Sequence, residues 1–296
     1  MARRHPIRRA LAILVALCLA VLLVSLGLGT LGGEGGLASH FGSSIGVLDV
    51  RGVITDAGDA VETLERFRTH DGTVAVVLRI DSPGGAVAPS QEVYDAVWRL
   101  RERKPVIASL GNIAASGGYY IASAANTIYA EPGTITGSIG AIMSIPQYAT
   151  LADKVGVSEE VVKSGRYKDT GHPLRPMTAD ERALLQSMVD DVLTQFIDAV
   201  ARGRGMDAAR VRELADGRVF SGAQARTAGL VDQMGGFTEA TRAAWEQAGQ
   251  KGEPRLVRER ARRRPWWWEF LTDTVLPEPR GLAGGLLFLY QGPLVE

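Results

Sequence analysis

Continuous apolar runs and amphipathic stretches alternate along this chain. Val74-Ala-Val-Val-Leu78 is uninterrupted, the pattern of a strand buried on both faces, and Ile45 to Val50 and Val106 to Leu110 read as apolar strands broken only by Asp49 and Ser109. Between them lie stretches with helical spacing. Ala57 to Arg68 is one; Val87 to Arg103 is another, with Val93, Val97 and Leu100 on one face and Pro105 as its stop. A helix of small residues is expected over Tyr119 to Ala125, and strands over Thr127 to Ala130, Ile139 to Ser144 and Glu159 to Lys163. Past Lys168 the pattern turns helical. Thr178 and Glu181 form a capping-box signature ahead of an amphipathic run to about Arg202, and Asp207 to Ala215, Gly222 to Ala228 and Thr238 to Gln250 continue the theme. Such alternation predicts an α/β fold with crossover connections and a helical C-terminal part. There is no internal repeat and no heptad.

The N-terminus departs from this pattern. Arg3, Arg4, Arg8 and Arg9 precede an uncharged apolar run, residues 10–31, whose length suits the hydrocarbon core of a bilayer. The arginines would keep residues 1–9 in the cytoplasm and leave the rest outside, as a single-pass anchor. A cleaved signal peptide is the competing reading, but no clear small-x-small site closes the run. Residues 32–44, rich in glycine, read as a flexible linker. Residues 45–250 then form one domain, and residues 251–296 a tail of unassigned role. That tail holds Trp266-Trp-Trp268 beside Arg262-Arg-Arg264, and an apolar, glycine-rich stretch from Leu282 to Tyr290. Such tryptophans suit a membrane interface or packing on a neighbouring subunit.

Charge and composition narrow the function. With 33 basic and 33 acidic residues the chain has no electrostatic footprint for nucleic acid. A single cysteine, Cys18, excludes an internal disulfide framework. The chemistry read below calls for no cofactor and no metal.

The stretch Asn112-Ile-Ala-Ala-Ser-Gly-Gly-Tyr-Tyr120 lies between a strand and a helix. A serine followed by two glycines at such a turn presents a hydroxyl at its mouth, with backbone N–H groups where negative charge is favoured. By itself it could be a plain turn. As a nucleophile Ser116 would need a base. His5 precedes the apolar run, His40 is in the linker, His70 stands before the turn Asp71-Gly72, and His172 has no motif around it. A lysine is the other candidate, because a guanidinium cannot give up its proton in a protein, and only lysines 104, 154, 163, 168 and 251 stand among the 33 basic residues. Lys104 and Lys154 read as helix-end cations. Lys168 follows Ser164-Gly165 in a loop before a helix start, although a plain surface lysine is the competing reading. A free lysine titrates near ~10.4, so an amine that is neutral near pH 7 needs its charged form disfavoured by ~4 kcal/mol, which apolar burial supplies. The amide of Gly117 is a natural oxyanion donor, and that of Gly85, in Asp81-Ser-Pro-Gly-Gly85, a second. Ser138, in Thr136-Gly-Ser-Ile-Gly140, adds a hydroxyl able to orient a neutral lysine.

These stretches, in this order, together with Val219-Phe-Ser-Gly222 and Gly229-Leu-Val-Asp232, resemble signal peptide peptidase A in its short form, peptidase family S49, over roughly Ile45 to Gln250. The resemblance implies a crotonase/caseinolytic-protease-like fold of stacked ββα units. It implies a membrane-anchored serine endopeptidase that degrades cleaved signal peptides or similar apolar, small-residue-rich peptides at the outer face of a bacterial cytoplasmic membrane. Ser116 would be the nucleophile, Lys168 the general base and Ser138 the group that positions the lysine, with the amides of Gly85 and Gly117 as the oxyanion hole. Short members assemble as homo-oligomeric rings whose sites draw the serine and the lysine from neighbouring subunits. A stomatin-linked serine peptidase of the same fold carries similar motifs. The competing functions are an acyl-coenzyme A hydratase or isomerase, which shares the fold and a glycine-rich oxyanion hole, and an inactive membrane scaffold. An anchor facing outward argues against the first, and the intact serine, lysine and glycines against the second.

Overall fold

The computed structural model describes residues 42–258 and 287–289. The expected anchor, most of the linker and the tryptophan cluster lie outside the described residues. Among the described residues no helix is long and apolar enough to cross a membrane.

In chain order the elements are β1 (Ser44–Arg51), α1 (Gly58–Thr69), β2 (Thr73–Ser82), β3 (Gly84–Ala86), α2 (Val87–Arg101), β4 (Val106–Ala115), α3 (Gly117–Ser123), β5 (Thr127–Ala130), β6 (Ile135–Gly137), α4 (Ala149–Val155), α5 (Ala179–Arg204), α6 (Ala208–Leu214), β7 (Val219–Ser221), α7 (Gly222–Thr227), β8 (Gln233–Met234), α8 (Phe237–Gln247), β9 (Leu256–Arg258) and β10 (Leu287–Leu289). The main sheet runs β7-β6-β4-β2-β1-β9, with β5 and β8 off β4. Every pairing in it is parallel except β6 with β7. This is the mixed α/β architecture with a parallel sheet that the alternation predicts.

The uninterrupted apolar run of β2 has a direct cause. Val76, Leu78 and Ile80 enter a core shared with helices α1, α2, α3 and α5. Ala75 and Val77 enter a second core, against Ala240, Ala244 and Trp245 of α8. Both faces of the sheet are covered, so no polar alternation survives. At its far end β5 is tied to α8's approach: the Asp232 carboxylate accepts the Ile128 N–H at 2.7 Å and pairs with the buried Arg204 guanidinium of α5.

Strand β4 outruns the expected end at Leu110 because it changes partners. Ile107 to Ser109 pair with β5, and Ile113 to Ala115 pair with β6. The switch coincides with an irregularity in its other partner, between Ile80 and Ser82. There the Asp81 carboxylate accepts the Ile113 N–H at 3.2 Å, and Gly111 leaves space that a Cβ would take from the Asp81 side chain. The expected strand over Ile139 to Ser144 is replaced by β6, which starts four residues earlier, because Thr136 finds β4 on one side and Phe220 on the other. The expected strand over Glu159 to Lys163 does not form. Those residues are exposed and, among the described residues, join no strand.

Candidate active site

Ser116 occupies the corner between β4 and α3. Its backbone has φ 54° and ψ −116°, a region non-glycine residues avoid at a cost of about 1–3 kcal/mol. Two hydrogen bonds hold the corner: its N–H donates to the Gly137 carbonyl at 2.8 Å, and its carbonyl accepts the Tyr120 N–H at 2.8 Å. A serine on so sharp a strand–turn–helix bend stands clear of both elements, the placement a nucleophile needs. Only 1% of it is exposed.

Ser138 is the other non-glycine residue with positive φ among the described residues, at 50°. Ala115 and Gly137 are partners in the parallel β4–β6 ladder, so the residues that follow them, Ser116 and Ser138, leave neighbouring strands side by side. The Ser138 N–H is fixed on the Arg218 carbonyl at 2.9 Å. Two strained serines at adjacent strand ends are therefore a consequence of register.

The glycines meet the same corner. Gly84, at φ 100°, has no room for a side chain: a Cβ there would fall 2.6 Å from the Gly117 nitrogen. A Cβ on Gly117 would lie 3.2 Å from the Gly85 nitrogen and 2.6 Å from Ser90 Oγ. Strand β3 is pinned from behind, since Ile54 donates its N–H to the Gly84 carbonyl at 2.9 Å and accepts the Ala86 N–H at 2.7 Å. This leaves the N–H of Gly85 directed away from Ile54, toward the side of β3 on which β10 pairs. Ser82 sets the turn that precedes it. Its hydroxyl accepts the Gly84 N–H at 3.1 Å and donates to the Gly52 carbonyl at 2.7 Å. The structure thus brings Ser116, Ser138, Gly85 and Gly117 together.

Lys168 lies elsewhere, on the exposed irregular segment between α4 and α5. Its N–H donates to the Gly165 carbonyl at 3.2 Å. Among the described residues its ammonium pairs with no carboxylate and reaches neither serine hydroxyl. The adjacent Asp169 is engaged by others: its carboxylate accepts from Lys163 at 2.5 Å and from Arg175 Nε at 3.0 Å. Those two cations, Arg175 foremost, hold the Asp169 carboxyl well below the usual carboxylate range. Arg175 also grips Glu181 with both terminal nitrogens, and its fork with the Thr178 backbone amide draws the Glu181 carboxyl down to about 2. Because Glu181 is the third residue of α5 and closes the Thr178 capping box, Arg175 ties the Lys168 loop to a helix start.

The histidines are occupied differently. His172 Nδ1 accepts the Leu174 N–H at 3.2 Å, and its Nε2 lies 3.3 Å from the Glu159 carboxylate. His70 caps the end of α1 in solvent. Lys104 closes the same helix end, donating to the Phe67 and His70 carbonyls at 2.6 and 2.8 Å. Among the described residues no cluster of histidine, cysteine or carboxylate side chains could hold a metal. Sequence reasoning missed Ser82, Gly84 and Arg175. Ser82 and Gly84 stand inside a motif already singled out, whereas nothing near Arg175 in the chain announces its partners.

Comparison with known proteins gives a consistent picture. The description "Peptidase family S49" matches residues 99–251. A protein of Synechocystis sp. provisionally named as a protease is 47% identical over 175 residues, which is 59% of this chain and 63% of that protein. The chloroplastic serine protease SPPA of Arabidopsis thaliana is 37% identical over 204 residues, 69% of this chain and 30% of its own. Protease 4 of Haemophilus influenzae is 34% identical over 219 residues, 71% of this chain and 35% of its own. The chain therefore spans less than two thirds of each of these relatives.

Proposed function

The chain belongs to peptidase family S49, and on that premise we propose that it is a membrane-anchored serine endopeptidase with Ser116 as nucleophile and Lys168 as general base. The observation that carries this reading is the strained Ser116 corner, with the amides of Gly85 and Gly117 packed against it. Nothing in packing alone requires a serine at φ 54°, and strain of this kind gathers at working sites.

In the proposed reaction the neutral Lys168 amine takes the proton from Ser116 Oγ as the oxygen attacks a peptide carbonyl. The negative charge that develops on that carbonyl oxygen is met by the N–H groups of Gly85 and Gly117, aimed in advance and worth several kcal/mol in a dry site. The protonated lysine then gives its proton to the leaving amine. Water, deprotonated by the same lysine, releases the acyl group from Ser116. The Ser138 hydroxyl orients the lysine amine.

The lysine that serves a given serine comes from a neighbouring copy, in a homo-oligomeric ring. Support lies in the segment that carries Lys168: Val162 is 95% exposed, Val155 64% and Leu151 60%, and Ile145, Met177, Leu185 and Val189 line a 510 Å³ cleft beside them. A solvated apolar surface of this extent is an interface awaiting a partner. Apolar surroundings of that kind favour a neutral amine over an ammonium. Substrates are extended apolar peptides, cleaved signal peptides among them, which add as a strand to β3 on the side where β10 pairs in this structure. Residues 10–31 anchor the enzyme in a bacterial cytoplasmic membrane with its catalytic part outside, and the stacked ββα units of the crotonase/caseinolytic-protease type form its frame.

Hydrolysis of an alanine- and leucine-rich peptide by the wild type, Ser116→Ala and Lys168→Ala tests this. The proposal expects cleavage by the wild type alone, with all three proteins folded. Cleavage by Lys168→Ala at a comparable rate sinks the assignment of the base.

A further inference from the structure

The backbone groups on either side of Gly85 are all taken up inside the protein. The Gly84 N–H donates to the Ser82 hydroxyl at 3.1 Å. The Gly84 carbonyl accepts the Ile54 N–H at 2.9 Å, and the Ala86 N–H donates to the Ile54 carbonyl at 2.7 Å. The Ala86 carbonyl accepts the Ser90 hydroxyl at 2.8 Å. Two serines, Ser82 before the strand and Ser90 after it, thus bracket Gly85, and both are fully buried.

The fold needs Ser82, because without its hydroxyl the Gly84 N–H would be a buried donor left bare. Ser90 is different. It lies in the first turn of α2, and Ala86 is the N-cap of that helix. An N-cap carbonyl accepts the first helical hydrogen bond in any case, so the Ser90 hydroxyl satisfies no group that would otherwise go without. A helical serine that bonds back to the carbonyl four residues earlier gains the helix little, and alanine there would suit it better. The hydroxyl has to be accounted for by what else it touches. The nearest atom that a Cβ on Gly117 would meet is Ser90 Oγ, at 2.6 Å, ahead of Gly84 Cα and the Gly85 nitrogen, each at 3.2 Å. Ser90 Oγ therefore stands where α2, β3 and the start of α3 converge, against the Gly117 backbone and beside Gly85.

We propose that Ser90 is a positioning residue of this site: its hydroxyl, held on the Ala86 carbonyl and seated against Gly117, sets the spacing of the Gly85 and Gly117 N–H groups. This rests on the reading of Ser116 as nucleophile and of those two amides as the oxyanion donors. Such donors act over a narrow range, about 2.7–3.1 Å from the oxygen that gains charge. Loss of one oxygen atom from α2 opens a space beside Gly117 and frees the Ala86 carbonyl from its second donor. The two amides then lose their common spacer while the sheet and the helix remain. The cost falls on the transition state, where both amides must point at one atom, and not on binding of the uncharged substrate.

The test compares the full-length wild type with Ser90→Ala, using an alanine- and leucine-rich peptide, the aldehyde of the same peptide and the matching alcohol. The aldehyde adds to the Ser116 hydroxyl as a hemiacetal whose oxygen takes the oxyanion position, whereas the alcohol binds without forming a bond. Ser90→Ala should melt at the wild-type temperature or slightly above it. Its kcat should fall by at least about tenfold with KM changed by less than about twofold, the mark of an interaction made only in the transition state. The inhibition constant of the aldehyde should rise by the same factor as kcat/KM falls, and that of the alcohol should stay the same. An unchanged kcat, or a lower kcat with the aldehyde bound as tightly as before, overturns the inference. A protein that no longer folds, or a joint loss of melting temperature, KM and alcohol binding, makes Ser90 a structural residue and overturns it too. Each of these outcomes leaves the peptidase reading in place if the wild type cleaves the peptide. A wild type that neither cleaves the peptide nor captures the aldehyde rejects that reading, and the inference with it.

Discussion

Ser116 and Ser138 show what single residues contribute here. Each holds a backbone angle that glycine would take without penalty, so selection of serine has to be explained by the hydroxyl. Ser138→Gly separates the two demands. Its stability should stay equal or rise by up to ~1 kcal/mol, since the strain is relieved, while kcat should fall by at least about tenfold through loss of the hydroxyl proposed to orient the base. Thermal melting and peptide kinetics on the same sample check this; equal loss of both would make Ser138 a structural residue. At this scale the chain was readable where chemistry and local pattern coincide. Ser116-Gly-Gly118 and Ser82-Pro-Gly-Gly85 announce themselves, because glycine at a strand end implies either a turn or a close backbone approach. Arg175 did not, since its two carboxylates reach it only when the loop folds back on α5.

Among the elements, α5 and the loop ahead of it act as one unit. The capping box of Thr178 and Glu181, the Arg175 fork and Asp169 form a continuous line from helix start to Lys168. The carboxyls of Asp169 and Glu181 are depressed below their unfolded values, Glu181 to about 2. Their contribution to stability is therefore complete above the ordinary carboxylate range and is lost as pH falls from about 4.5 toward 2. Arg175→Gln removes the leading cause of both depressions. Denaturant unfolding at pH 7, 5 and 3 should find this variant less stable at pH 7 and with a smaller further loss on acidification than the wild type. A parallel loss in the two proteins would contradict the clamp. Helices were legible to within a few residues because periodicity and caps are local properties, except α4, a short helix that the sequence reading did not expect. Strands were legible where one chain buries both faces, as in β2. The failures differ: Ile139 to Ser144 lies just past β6, and Glu159 to Lys163 is a mixed charged and apolar stretch left exposed before α5, while β10 was visible only as an apolar tail because its partner lies about two hundred residues earlier.

For the whole molecule, the separation between a buried Ser116 and an exposed Lys168 is the fact that most needs explaining. The proposed ring, in which the serine of one copy would meet the lysine of the next, accounts for it and predicts complementation. Equal amounts of Ser116→Ala and Lys168→Ala, each silent alone, should recover about a quarter of wild-type activity after co-assembly, since random neighbours pair an intact serine with an intact lysine that often. No recovery in a mixed oligomer would place both groups in one subunit. The central claim, that Lys168 activates Ser116, is tested most directly by covalent labelling. The full-length protein would be treated with a fluorophosphonate and the adduct located by mass spectrometry in wild type, Lys168→Ala and Arg175→Gln. The account predicts a single adduct on Ser116, slowed in Arg175→Gln and absent in Lys168→Ala. Labelling of Ser116 at the wild-type rate without Lys168, or an adduct on another residue, would contradict it.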